Sequence, residues 1–110
     1  MKNKLTIAFL EQQLRANNND KWVRTFFYED ADGVHVRPLE DVPDDLIAVS
    51  EYLNMAGEMS SAGFNEGMLA ESVVPGKEPE RHLRNMAELY QLSAELGAIA
   101  LNISKAEGAK

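Results

Sequence analysis

Few residues in this chain of 110 have the type and spacing that enzyme chemistry requires. Cysteine is absent, which excludes thiol nucleophiles, disulfides and cysteine-based zinc sites. The two histidines, His35 and His82, lack a second histidine or a carboxylate at the spacing of metal ligands on a helix. His82 stands among acidic and basic neighbours, so we expect a surface or hydrogen-bonded side chain there. The sequence predicts neither a metal site nor a cofactor.

Two pairs of glutamates share helix faces and are the remaining candidates for acid–base catalysis. Glu51 and Glu58 are seven residues apart, as are Glu88 and Glu95. Both pairs are more widely spaced than the inward-facing Glu-x-x-Glu pairs of helical di-metal hydrolases, and solvated helix faces explain them. We therefore predict that the protein is not an enzyme. The enzymatic alternative would use Glu51, Glu58 or His82 and predicts that divalent metal ions change the melting temperature.

The segment Asp30-Ala31-Asp32-Gly33 resembles the start of a calcium-binding loop but has the wrong spacing. Counted from Asp30, the sixth position is His35 where a glycine is required, and the twelfth is Asp41 where a glutamate is required. A turn between two strands explains the segment, because Gly33 can adopt a positive φ.

Acidic residues are concentrated between positions 29 and 45. They are Glu29, Asp30, Asp32, Glu40, Asp41, Asp44 and Asp45. Turns and helix starts favour such residues, which accounts for part of the cluster. The rest predicts an acidic edge (Asp30, Asp32, Glu40, Asp41, Asp44 and Asp45) that docks on a basic protein surface. The net charge of −7 argues against direct nucleic-acid binding, and a nucleic-acid mimic is a further alternative.

Periodicity and turn residues predict a single α+β domain over residues 1–110, with an ordered core at about 4–106. A β-hairpin packs on a layer of helices in the order helix, hairpin, helix, long C-terminal helix. The expected elements are a helix at 4–17, strands at 22–29 and 34–39, a helix from 43 to about 60, a kink or break around 60–67, a short turn at 68–73, a loop at 74–77 and a helix at 79–106.

Alternation along the first strand places four large side chains on one face of the hairpin. They are Trp22, Arg24, Phe26 and Tyr28. Trp, Tyr and Arg are the residue types that dominate binding energy at protein interfaces. We predict that this face is exposed and that it binds a partner together with the acidic edge.

The last helix carries two apolar seams, which is more than one neighbour can cover. The first seam consists of Leu89, Leu92, Leu96, Ile99 and Ile103. The second consists of Leu83, Ala87, Tyr90, Ala94, Gly97 and Leu101. The small residues Ala87, Ala94 and Gly97 predict close approach by another helix. A homodimer formed through the first seam is therefore the structural alternative for this protein.

Taken together, these features predict a small acidic interaction protein of the cytoplasm. It would bind a protein partner and modulate or inhibit it, as bacterial or phage accessory proteins do. No stretch of apolar residues is long enough to span a membrane, and the N-terminal residues do not have the pattern of a signal peptide.

Overall fold

The computed structural model describes residues 5–72 and 79–108. The predicted α+β fold is confirmed, with one small antiparallel hairpin packed on helices. The elements in chain order are α1 (Ile7–Leu14), α2 (Val23–Phe26), β1 (Phe27–Asp30), β2 (Gly33–Val36), α3 (Val49–Ser72) and α4 (Pro79–Gly108). Short 3-10 turns occupy Arg15–Asn17, Asp20–Trp22, Leu39–Asp41 and Asp44–Leu46. The loop expected at 74–77 lies outside the described residues.

One apolar core joins the two halves of the chain. Leu10 and Leu14 of α1 meet Phe26 and Phe27, and these pack on one side of the α3–α4 layer. Phe26 makes an edge-to-face contact with Tyr52 of α3, at a ring-centroid distance of 5.2 Å. The first half of the chain therefore covers one face of the two long helices.

The first predicted strand is correct only at its C-terminal end. Strand pairing begins at Phe27, which lies opposite Val36, whereas residues 23–26 form the single helical turn α2. Val23 and Phe26 are both buried, because a spacing of three places them on the same side of a helical turn. The high density of β-branched and aromatic residues predicted a strand. The helical turn forms instead because it buries both of these side chains.

A kink or break is predicted around 60–67; the break is wrong, because α3 continues through this stretch without interruption. The glycines that suggested a break lie against α4. A Cβ added at Gly63 would lie 2.8 Å from Cε1 of Tyr90, and one at Gly67 would lie 3.0 Å from Sδ of Met86. Close packing between the helices offsets the poor helix propensity of both glycines. At the expected start of this helix, the structure instead has Pro43 followed by a separate 3-10 turn, Asp44–Leu46.

The helices α3 and α4 are antiparallel, and their contacts fix the register. The hydroxyl groups of Ser60 and Ser93 are 2.6 Å apart, and Ser93 also donates to the carbonyl oxygen of Ala56. Gly63 faces Tyr90 one turn further along. Residues later in α3 therefore contact residues that are correspondingly earlier in α4.

Candidate interaction surfaces

The outer face of the hairpin carries a short row of stacked polar and aromatic groups. The rings of Tyr28 and His35 lie opposite each other across the strands and stack at 5.1 Å. The guanidinium carbon of Arg37 lies 5.9 Å from the Tyr28 ring centroid, and Nε of Arg37 donates to the carbonyl oxygen of Arg24. His35 and Asp30 form a 2.8 Å hydrogen bond at the other end of the row. These side chains stabilise one another across the hairpin.

Only part of the predicted aromatic face exists. Phe26 is 2% exposed and belongs to the core, so its assignment to an exposed partner-binding face is wrong. Trp22 is half-buried against the core with Lys21 over its ring, and Arg24 is paired with Glu11 at 3.0 Å. Tyr28 alone of the four lies on a strand. The alternation rule failed because the first three residues are not in extended backbone.

The acidic residues of the hairpin have structural partners. Oε1 of Glu29 accepts a 2.8 Å hydrogen bond from the backbone N–H of Ile7, in the first turn of α1. Asp30 accepts from the backbone N–H of Asp32 and so closes the turn. The hydrogen bonds from His35 and from Asp32 lower the pKa of Asp30 below its ordinary value. Turn and cap chemistry explains this part of the acidic edge.

The remaining four acidic residues form a separate group, the acidic loop, made of Glu40, Asp41, Asp44 and Asp45. All four are exposed, and within residues 5–72 and 79–108 no Lys or Arg lies within ion-pair distance of any of them. They occupy the two 3-10 turns, in which no side chain caps the backbone. Val42 between them is 4% exposed and anchors the loop in the core. As far as the described residues show, the loop thus presents four carboxylates without an ion-pair partner, on a backbone that Val42 anchors.

The acidic edge is therefore two surfaces and not one. Asp30 and Asp32 lie at the turn end of the hairpin, whereas the acidic loop follows the far end of β2. Four residues of strand separate them, about 13 Å of extended backbone.

An exposed apolar surface lies on the side of the α3–α4 layer that the first half of the chain leaves open. We call it the open face. It consists of Leu53, Phe64 and Met68 of α3 with Leu83, Tyr90 and Leu101 of α4. Phe64 is 61% exposed, and Leu53 and Leu101 are each 54% exposed. At 100° per residue, each exposed seam lies beyond the residues that contact the other helix, so both seams open on the same side.

This arrangement corrects the predicted self-association seam. Leu89, Leu92 and Leu96 are buried in the core of the single chain, and Ile99 and Ile103 pack partly against it. The second seam of α4 is the exposed one. The periodicity of the sequence showed both seams but could not show which of them the rest of the chain covers.

Two further glycines lie in mid-helix without a neighbour in the described chain. A Cβ added at Gly57 or at Gly97 would meet no atom within 4 Å among the described residues. Within the described chain, the close approach between helices occurs at Gly63 and Gly67, and the predicted approach of another helix at Gly97 stays a prediction. Glycine in a helix interior costs about 1 kcal/mol relative to alanine. Packing among the described residues does not offset this cost at Gly57 and Gly97.

A buried polar cluster escaped the sequence analysis. The carboxylate of Glu66 is almost fully buried and accepts hydrogen bonds from Nδ2 of Asn85 at 2.8 Å and from His82 at 3.1 Å. Of the two predicted states of His82, surface or hydrogen-bonded, the structure shows the hydrogen-bonded one, and the side chain is largely covered. The signal was present, because Glu66 continues the core spacing of Met55, Met59 and Ala62. The cluster joins α3 to α4 at the base of a cleft lined by Thr6, Phe9 and Arg81.

The predicted carboxylate pairs lie apart from this cluster. Glu58 accepts hydrogen bonds from the side-chain amides of Asn17 and Asn19 and so ties α3 to the turn after α1. Glu95 accepts from Gln91 on the solvated side of α4. Among the described residues, no three His, Asp or Glu side chains converge on a point where a metal ion could bind.

Within the described parts of the chain, no helix has the length and apolarity needed to cross a membrane. Comparison with protein-family models, with curated proteins and with solved structures gives no match to this chain. The two exposed surfaces, the acidic loop and the open face, are therefore the features from which a function has to be argued.

Proposed function

We propose that the protein is a non-enzymatic binding protein of the cytoplasm that docks through its acidic loop on a basic surface of another protein. The observation that supports this proposal is the state of Glu40, Asp41, Asp44 and Asp45. Unlike the side chains of Glu29 and Asp30, their side chains accept no backbone hydrogen bond and form no ion pair within the described chain. Four like charges this close repel one another, and a cationic partner would relieve that repulsion.

The surroundings of the acidic loop suit an interface. Leu39 is 38% exposed at the start of the loop and offers an apolar contact beside the carboxylates. Val42 holds the backbone in place, so little conformational freedom would be lost on binding. Interfaces commonly combine an apolar centre with a charged rim, and the charges mainly steer association and set orientation. A partner held this way would be modulated or inhibited by having its basic site covered.

The test is affinity capture from nuclease-treated host lysate with three forms of the protein. The loop variant carries Glu40→Gln, Asp41→Asn, Asp44→Asn and Asp45→Asn. The matched control removes the same number of charges elsewhere, through Glu71→Gln, Glu88→Gln, Glu95→Gln and Glu107→Gln. We expect one basic protein to be retained by the natural chain and the control, and lost by the loop variant and in high salt.

Equal retention by the loop variant, or capture of nothing at low salt, would contradict the proposal. If the captured protein binds nucleic acid and DNA or RNA competes with this chain for it, the protein acts as a nucleic-acid mimic. This second candidate follows from the same unpaired carboxylates and makes the same prediction for the loop variant.

A further inference from the structure

We propose that the open face binds a second copy of the same chain and that the dimer is a four-helix bundle made from two α3–α4 pairs. The proposal does not depend on the acidic loop, which precedes α3 in the chain and contributes none of the residues that form this face.

The composition of the open face favours another copy of this chain over a charged partner. Along the exposed seams, from Leu53 to Met68 and from Leu83 to Leu101, every position is apolar, small or hydroxyl-bearing. The chain has a net charge of −7, yet none of that charge lies on these seams. Two copies can therefore meet here without burying a charge, and the acidic groups of each copy remain in solvent.

The glycines supply an independent argument. Gly57 and Gly97 lie on the exposed seams, and the antiparallel register places them at the same level of the helical layer. Added side chains there would meet no described atom of their own chain. Small residues at such positions allow the backbone of a neighbouring helix to approach closely. Close contact with a second copy would explain why both positions are glycine, which packing within the described chain does not.

The spacing along the seams is also self-complementary. On α3, Gly57 and Phe64 are equally distant in sequence from a centre between Ser60 and Ser61. On α4, Tyr90 and Gly97 are equally distant from a centre at about Ala94. If a two-fold axis runs across both helices at this level, α3 faces α3 of the second copy and α4 faces α4, each pair running in opposite directions. Phe64 of one copy then lies over Gly57 of the other, and Tyr90 lies over Gly97. Such an isologous contact closes on itself and forms a dimer.

The area of the α3–α4 layer, meaning the open face together with the polar ends of its helices, matches what a stable dimer needs. A helix of 24 residues, the length of α3, is about 36 Å long, and two packed helices are about 20 Å wide. The flat footprint is roughly 700 Å², close to the roughly 800 Å² per partner of ordinary stable interfaces. The apolar pairs would form its centre, and the polar ends of the helices its rim.

Sedimentation equilibrium of the natural chain over a wide concentration range is the primary test. We expect a reversible monomer–dimer equilibrium with a limiting mass of twice that of the chain. Because the face is uncharged and the chains repel each other, added salt should leave the dimer unchanged or strengthen it. A monomer mass at all concentrations would overturn the proposal.

Three variants locate the interface. Phe64→Lys should raise the dissociation constant by about 30-fold or more, whereas Asn54→Lys, on the same helix but off the open face, should leave it unchanged. Gly57→Gln should also raise the dissociation constant, even though it improves the helix propensity of the single chain. A variant that makes the monomer more stable and the dimer weaker cannot be explained by misfolding. Dimerisation unaffected by Phe64→Lys and Gly57→Gln would overturn the proposed interface.

Cysteine scanning tests the two-fold arrangement, since the natural chain has no cysteine. Ala94→Cys lies near the proposed axis and should form a disulfide-linked dimer on mild oxidation. Ala98→Cys, one turn away, should remain reduced, because its two copies would be too far apart for a disulfide. Equal cross-linking of both variants, or cross-linking of Ala98→Cys alone, would contradict this arrangement.

Discussion

The two faces of the α3–α4 layer differ in what covers them, although both consist of apolar residues at the same helical spacing. On α4, Leu89, Leu92 and Leu96 are buried beneath the first half of the chain, whereas Leu83, Tyr90 and Leu101 are exposed. Both seams have the same spacing and similar apolarity. Helix periodicity thus shows how many faces a helix can bury, whereas the location of the hairpin and α1 determines which face the chain buries by itself.

The largest expected effect comes from truncating one leucine on each face. Leu96→Ala should lower the free energy of unfolding by about 2–5 kcal/mol, because it leaves a cavity in the core. Leu101→Ala should change it by no more than about 0.5 kcal/mol, because that side chain is mostly in water. Urea denaturation at low protein concentration, where the single chain predominates, measures both values.

The two truncations also separate core from interface. If a second copy covers the open face, Leu101→Ala should lower the free energy of unfolding at high protein concentration only. Leu96→Ala should lower it already at low concentration. If Leu101→Ala were as costly as Leu96→Ala in dilute solution, the distinction between the two faces would be wrong.

The glycines provide a second, smaller comparison. Gly63→Val should cost about 1–3 kcal/mol, because the new side chain would force Tyr90 and the facing helix apart. Gly97→Ala should instead stabilise the single chain by about 1 kcal/mol, because nothing described lies in its way. Thermal unfolding of the two variants at low concentration tests the prediction. Changes of the same sign would show that the two glycines do not differ in this way.

Local chemistry allowed the sequence to predict the hairpin turn and the long C-terminal helix. Gly33 adopts φ of 120° directly after the turn, a conformation that glycine tolerates and other residues rarely adopt. The same kind of local reasoning gave the wrong structure at Gly63 and Gly67. There the deciding contact comes from Tyr90 and Met86, more than 15 positions away, and no property of the local segment reveals it.

The candidate surfaces were predictable to different degrees. Asp41 and Asp44 could be identified as an exposed acidic group from composition alone. Their separation from Asp30 could not, because it depends on where β2 ends. Phe26 was assigned to the wrong surface because an aromatic residue is suited both to an exposed binding face and to a core. Only its packing against Tyr52 shows that it lies in the core.

The covered face contains one polar defect, and its removal should stabilise the protein. Within the described residues, the hydroxyl group of Tyr52 is buried and has no hydrogen-bond partner. Tyr52→Phe should therefore raise the free energy of unfolding by about 1 kcal/mol, because an unsatisfied polar atom is removed from the core. Chemical denaturation at pH 7 measures the gain.

The pH dependence of the same variant provides its control. Burial raises the pKa of Tyr52 above its ordinary value of 10.0. Above about pH 10 the unfolded chain releases this proton while the folded chain keeps it, so stability falls as pH rises. The natural chain should lose stability in this range more steeply than the Tyr52→Phe variant. Parallel alkaline profiles would show that Tyr52 is not responsible.

The hydrogen bond from Ile7 to Glu29 joins the first residue of α1 to strand β1. The helix α1 has eight residues, fewer than the roughly 12–15 that an isolated helix needs in water, and a carboxylate 22 positions away accepts the N–H of its first residue. This helix therefore depends on the hairpin for its persistence. Its amides and those of β1 should exchange with solvent as one cooperative unit, independently of the two long helices.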